Sequence, residues 1–168
     1  MKIYRRFSSH SATEQDRNFM REAIRIADDS VEHGGGPFGA VIVKDGKIVA
    51  ATSNSVTLDF DPTAHAEVNA IRTACRQLNT FDLSGCTIYS SCEPCPMCLG
   101  AIYWAKIDRI FYGNNRKDAA RISFSDDFIY KEIDRPKYRR AVPIIPLLRD
   151  EALHTFSNWS AKSDKTEY

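Results

Sequence analysis

The quartet Thr87-Ile88-Tyr89-Ser90 runs, by way of Ser91, into Cys92-Glu93-Pro94-Cys95-Pro96-Met97-Cys98, and this junction limits what the chain can fold into more than any other stretch. The quartet is strand-like, being β-branched and aromatic. Pro96 cannot continue a strand, but it suits the first turn of a helix, where its missing N–H costs nothing and its φ is already set. The spacing therefore predicts a short strand, then a tight turn, then a helix from about Pro96 to Ala105. Cys95 becomes the N-cap and Cys98 falls in the first turn. Positions i and i+3 share a helix face, and the positive end of a helix favours thiolates. Two sulfurs are thus brought together at one strand-to-helix turn.

The other elements fall around that junction. Ser11 and Glu14 have capping-box spacing, and Phe19, Ala23, Ile26 and Ala27 mark one helical face after them, with Ile24 and Val31 near it. Gly34-Gly35-Gly36-Pro37 ends that helix. Phe38 to Val43 reads as a buried strand. Asp45-Gly46 then turns the chain into Lys47-Ile48-Val49-Ala50-Ala51, the signature of a hairpin. Thr63 reads as the N-cap of a second helix whose inner face carries Val68, Ile71, Cys75 and Leu78. Arg109-Ile110-Phe111-Tyr112 is a further strand. Val142 to Leu148 reads as a strand interrupted by two prolines, and Glu151 to Trp159 as a helix. The order implies an α/β fold: a three-layer α/β/α arrangement with a central mixed five-stranded sheet that opens on an antiparallel hairpin.

Bulk properties exclude several classes. With 168 residues, 43% of them hydrophobic and 27% charged, the chain suits one folded domain with an arm at its start. We read residues 1–12 as a flexible N-terminal arm and 13–168 as the domain. A net charge of +1, from 23 basic and 22 acidic residues, argues against a dedicated nucleic-acid binder. No apolar run reaches the roughly 20 residues a membrane span needs, and no apolar segment follows the basic start, so the reading is a protein without membrane or secretory targeting. The cysteines number five, three of them within Cys92–Cys98, which fits a reducing cytoplasm and a metal site better than a disulfide framework.

Thr63-Ala64-His65-Ala66-Glu67 supplies what the two sulfurs lack. A catalytic zinc takes three protein ligands and keeps one position open for water, and one His with two Cys is such a set. His65, Cys95 and Cys98 are the candidate ligands of a Zn²⁺ cofactor, and Glu67 is the candidate proton carrier. Spacing alone does not explain how His65 and Glu67, two apart in the first turn of one helix, would face the same metal. The bland reading is a closed structural zinc that adds Cys92 as fourth ligand, in a non-catalytic stapled binding module. Glu67 has no use in such a site. Cys75 and Cys86 read as core residues.

His-x-Glu followed by Pro-Cys-x-x-Cys resembles the signature of the cytidine deaminase superfamily. The likeness extends over Gly35–Gly46, Asp61–Glu67, Ser91–Trp104, Phe128–Asp134 and the terminal Glu167-Tyr168, where it is closest to bacterial guanine deaminases. The resemblance implies a sheet of the cytidine deaminase type and hydrolysis of guanine to xanthine and ammonia by zinc-bound hydroxide, with Glu67 as proton shuttle. It also implies a homodimer whose C-terminal segment, about 145–168, is exchanged between subunits. By position it places Asn54, Phe38, Trp104, Ala66 and Tyr168 around the base and Asp126 as a second catalytic acid. On the residues alone, Phe38 and Trp104 read equally as packing, Asn54 as a turn residue and Tyr168 as a chain end, and either Asp126 or Asp127 could face the site. A tRNA adenosine deaminase, or a guanosine or cytosine deaminase, would share the zinc blocks. The basic cluster Arg135, Lys137, Arg139 and Arg140 is either an RNA contact or a solvated charged face.

Overall fold

The computed structural model describes residues 11–167. The expected arm over residues 1–12 lies outside them apart from Ser11 and Ala12, and so does Tyr168. The described chain forms two compact units that divide after Asp126.

The first unit begins with α1, Glu14–Glu32. Its capping box is Thr13 with Asp16, not Ser11 with Glu14: Thr13 N–H donates to Asp16 Oδ2 at 2.8 Å and Asp16 N–H returns the bond to Thr13 Oγ1 at 3.1 Å. The shift has a tertiary cause. Asp16 also accepts from the Tyr89 hydroxyl at 2.6 Å, which anchors the start of the helix to the sheet. β1, Gly39–Lys44, and β2, Lys47–Ser53, form the expected hairpin. Asp45 and Gly46 both take positive φ, 49° and 73°, as a tight turn matched to strand twist requires. The register slips by one residue after Ile42, leaving Val49 as an extra residue on β2.

A short α2, Val56–Asp59, leads to α3, Ala66–Leu78, then β3, Cys86–Cys92, α4, Pro96–Trp104, β4, Arg109–Asn114, and α5, Arg116–Arg121. The strands lie in the order β2-β1-β3-β4. β1 is antiparallel to both its neighbours, and β3 is parallel to β4. The sheet is mixed, as expected, but it has four strands among the described residues rather than five. The expected fifth, Val142 to Leu148, has no regular structure. Pro143 and Pro146 remove two ladder donors from it and fix φ on either side of Ile144-Ile145.

Alternation along β1 explains why helices cover both faces. Ala40 and Ile42 point, with Ile88 of β3, into a cluster that includes Ala66, Ala70 and Ala74 of α3 and Ile102 of α4. Val41, Val43 and Tyr89 point the other way, against Ala23, Phe19 and Ile26 of α1. On α3 the residues nearest the sheet are alanines, while Ile71, Cys75 and Leu78 flank them half-buried. Ile24 and Val31 of α1 lie outside the buried stripe, 43% and 55% exposed.

The second unit holds α6, Asp127–Asp134, a 3-10 turn at Lys137–Arg139, and α7, Arg149–Ala161, which extends the expected helix by two residues at each end. Arg140 donates from its guanidinium to the carbonyls of Ile133 and Arg135, closing the end of α6, and Arg135 pairs with Glu132. Two residues of the basic cluster are thus engaged in local structure. Among the described residues no helix is long and apolar enough to cross a membrane.

Candidate metal centre

The expected N-cap of α3 is two residues out, and the correction accounts for the site. Thr63 spends both its N–H and its hydroxyl on Asp61 Oδ1, at 2.8 and 2.7 Å, in a turn of its own. The chain enters the helix only after His65, which is the N-cap with φ −70° and ψ 151°. Because His65 still has extended geometry, its side chain is free of the helical rule that would turn it away from Glu67. The imidazole leaves the chain before the helix and the carboxylate leaves from within its first turn, so both reach one place.

Cys95 takes the matching position on α4: it is the N-cap with φ −66° and ψ 170°, followed by Pro96 at the first helical position. Cys98 lies fully buried one turn on. His65 Nδ1 sits 3.5 Å from Cys95 Sγ and 3.4 Å from Cys98 Sγ, and the two sulfurs are 3.5 Å apart. Tetrahedral zinc, with Zn–S near 2.3 Å and Zn–N near 2.0–2.1 Å, asks for edges of about 3.5–3.8 Å. The triangle therefore fits that ion. His65, Cys95 and Cys98 are the one group among the described residues whose donor atoms gather closely enough to hold a metal, all within 4.8 Å of one another. Cys92 ends β3, buried and outside the group, so the closed arrangement of three cysteines and one histidine does not form.

Glu67 lies beside the triangle, 6% exposed. Ser90 Oγ donates to its Oε1 at 3.1 Å, and its Oε2 lies 3.4 Å from Cys98 Sγ. Burial pushes the Glu67 carboxyl above the ordinary carboxylate range, against the pull of its hydrogen bonds. The contact with Cys98 Sγ, with help from His65, holds the Cys95 thiol well below its usual value despite burial. Burial, reinforced by the Glu67 charge, lifts the Cys92 thiol to about 11 and keeps it protonated. The site thus favours thiolate at Cys95, while the contact with Cys95, together with burial, pushes the Cys98 thiol up, and the thiol left out stays protonated.

The remaining candidates lie on separate elements. Asn54 is buried, its N–H donating to Phe38 O at 3.0 Å and its Oδ1 accepting from Val56 N–H at 3.2 Å. Phe38 is half-buried and meets Phe124 edge-to-face, ring centres 5.0 Å apart. Ala66 is fully buried as the first residue of α3, its carbonyl accepting from Thr52 Oγ1 at 2.8 Å. Trp104 ends α4 and is 71% exposed. Asp126 is half-buried, and burial raises its carboxyl, with the Cys95 charge adding to the rise. Asp127 instead pairs with Lys131 on α6.

Two contributors escaped sequence reasoning. Ser90 was visible only as a strand residue, although its even spacing from Ile88 puts it on the face that α3 covers. Phe124 follows an exposed turn and carries no local signal.

Residues 13–114 match the family described as the cytidine and deoxycytidylate deaminase zinc-binding region. Guanine deaminase of Bacillus subtilis is 52% identical over 151 residues, which is 89% of this chain and 97% of that protein. A solved structure of guanine deaminase from Bacillus subtilis superposes with a TM-score of 0.88 at 51% identity, covering 90% of this chain and 98% of the other. The tRNA-specific adenosine deaminase of Aquifex aeolicus is 40% identical over 125 residues, 74% of this chain and 80% of that protein.

Proposed function

This chain belongs to the cytidine and deoxycytidylate deaminase zinc-binding family, and we propose that it is a zinc-dependent aminohydrolase that converts guanine to xanthine and ammonia. The observation that carries the proposal is the three-donor triangle of His65, Cys95 and Cys98 with the buried Glu67 at its side. It stands in a chain half identical to a guanine deaminase along nearly its whole length.

His65 Nδ1 and the sulfurs of Cys95 and Cys98 would hold the ion. When bound, zinc supplies a Lewis acid that acidifies a water to near neutral pH. Glu67 would take a proton from the attacking water as its oxygen adds to the ring carbon bearing the amino group. It would pass that proton to the adjacent ring nitrogen and carry a second one, from the newly added hydroxyl, to the amine, which leaves as ammonia as the carbon–nitrogen bond breaks and the carbonyl forms. Burial suits Glu67 to both directions of transfer, because a raised carboxyl gives and takes protons closer to neutrality. The Ser90 bond to Oε1 holds the carboxylate in place.

We assign Phe38 and Trp104 to the walls of the base pocket and Asn54 and the Ala66 amide to its polar edge. As the first helical residue, Ala66 has no intrahelical carbonyl for its N–H. Asp126 is the second acid, and its half-buried setting supports that role over exposed Asp127. The free cysteines support work in the reducing cytoplasm.

The functional unit in this proposal is a homodimer with residues of about 145–168 exchanged. Large apolar side chains of the second unit support it: Ile145, Leu147 and Phe156 are 79%, 82% and 71% exposed. Sedimentation should give twice the chain mass, and a monomer at micromolar concentration would end this part of the proposal.

A substrate panel tests the reaction. Zinc-loaded protein is incubated with guanine, guanosine, adenine, cytosine, cytidine and a tRNA anticodon stem, and ammonia is measured. Release from guanine is the expected result. Release from the RNA alone would make this a tRNA adenosine deaminase.

A further inference from the structure

Three consecutive glycines follow α1, and the structure separates their reasons. Gly34 has φ +82° with open space where a side chain would be, so its need is conformational. Gly36 does not take the left-handed backbone, yet a Cβ placed on it would stand 2.9 Å from Asn54 Oδ1 and 3.0 Å from Asn54 Cγ. An alanine could adopt the Gly36 backbone. It could not share the space with the Asn54 amide.

Asn54 cannot step aside cheaply. Its backbone N–H is held by Phe38 O at 3.0 Å, and its own carbonyl accepts from Ser30 Oγ at 3.4 Å. Ser30 is buried in the last turn of α1, and Gly35 donates to its carbonyl at 2.8 Å. A Cβ on Gly35 would come within 2.3 Å of Ser30 Oγ and 2.9 Å of Asn54 O. The backbone of Asn54 is therefore caged from the side of α1, and the only slack is in its side chain. Val56 N–H, donating to Oδ1 at 3.2 Å, sets that side chain's orientation.

We propose that Gly36 is a positioning residue for the reaction: its missing side chain is what allows the Asn54 amide to stay in the orientation from which it meets the base. The inference rests on the assignment of Asn54 to the base pocket made above. Gly36 touches no reacting atom and acts only through Asn54.

A double-mutant cycle of wild type, Gly36→Ala, Asn54→Ala and the combined variant tests this, with kcat, KM, zinc content and melting temperature read for each. Shortening Asn54 to alanine removes the two colliding atoms and leaves Cβ at 3.4 Å, an ordinary contact. Gly36→Ala should lower kcat/KM by about 10- to 100-fold, the scale of a misplaced binding group. The loss should fall in the same parameter, kcat or KM, that Asn54→Ala changes, with one zinc per chain retained. In the Asn54→Ala background, adding Gly36→Ala should cost nothing further. Losses that multiply, or a Gly36→Ala enzyme with wild-type kcat/KM, overturn the proposal. If Gly36→Ala alone fails to fold, the combined variant must fold, and its failure overturns the proposal equally. Should wild type prove inactive on guanine but active on another base, the function reading falls, and the cycle is run on that base.

Discussion

Ser90 Oγ donates to Glu67 Oε1 at 3.1 Å, tying a buried carboxylate at the start of α3 to the middle strand pair. Two contacts, this one and Cys98 Sγ at Oε2, hold the carboxylate beside the metal ligands. Glu67→Gln keeps the shape and the Ser90 bond but cannot carry a proton. It should bind zinc normally and lose about 10²- to 10⁴-fold in turnover, the usual cost of a lost proton carrier. Ammonia release and metal content, measured on the same preparation, check this. Near-normal turnover would remove Glu67 from the mechanism.

The ligand set divides the clustered cysteines. Cys98→Ser should lose zinc, while Cys92→Ser should keep one ion per chain, since Cys92 lies outside the gathered donors. Chelation should abolish activity yet leave the circular dichroism spectrum intact, because two apolar clusters hold the sheet without help from metal. Unfolding on chelation would point to a structural ion instead.

Tyr89 and Asp16 predict a pH dependence of stability. Burial works to raise the Asp16 carboxyl, but the bonds from Thr13 and Tyr89 outweigh it and leave it lowered. Burial, with the Asp16 bond, raises the Tyr89 hydroxyl. For Asp16 the folded state binds the proton less tightly than the unfolded chain. Its contribution is therefore complete above the unfolded value near about 3.9 and is lost as pH falls through the lower folded value. For Tyr89 the sign reverses. Its contribution is complete below about pH 10 and is lost as pH rises through the raised folded value. Tyr89→Phe should cost about 1–3 kcal/mol at neutral pH and flatten both limbs in urea titrations.

Gly39 lies where α1 crosses β1. A Cβ there would stand 2.2 Å from Ala23 O and 2.8 Å from Ala27 N, both backbone atoms. Gly39→Ala must push the helix off the sheet. We expect a loss of about 3 kcal/mol or more, the upper range for overpacking, read as a drop in melting temperature with α-helical content retained.

Much of this was legible because the informative residues carry local rules. Asp45-Gly46 dictated a hairpin, and Pro96 fixed where α4 begins and so where Cys95 and Cys98 point. Local rules give way where a distant partner decides. Asp16 was chosen over Glu14 for the capping box by Tyr89, 73 residues away. Asp61 captured Thr63 and delayed the start of α3 until His65. The convergence of His65 with Glu67 looked forbidden by helical spacing, and it is allowed because the imidazole belongs to the residue before the helix. The prolines of the Val142–Leu148 stretch outweigh its β-branched residues and leave it without regular structure.

His65 and Cys95 each stand one residue ahead of a helix, on different elements, whereas Phe38, Asn54 and Asp126 lie in loops. This separates the part of the molecule that would hold the ion from the part that would choose the molecule it acts on. Recombining the loops of related deaminases onto this framework should change which ring is accepted while leaving the metal grip alone, so the scaffold offers a starting point for enzymes that strip nitrogen from heterocycles of other shapes.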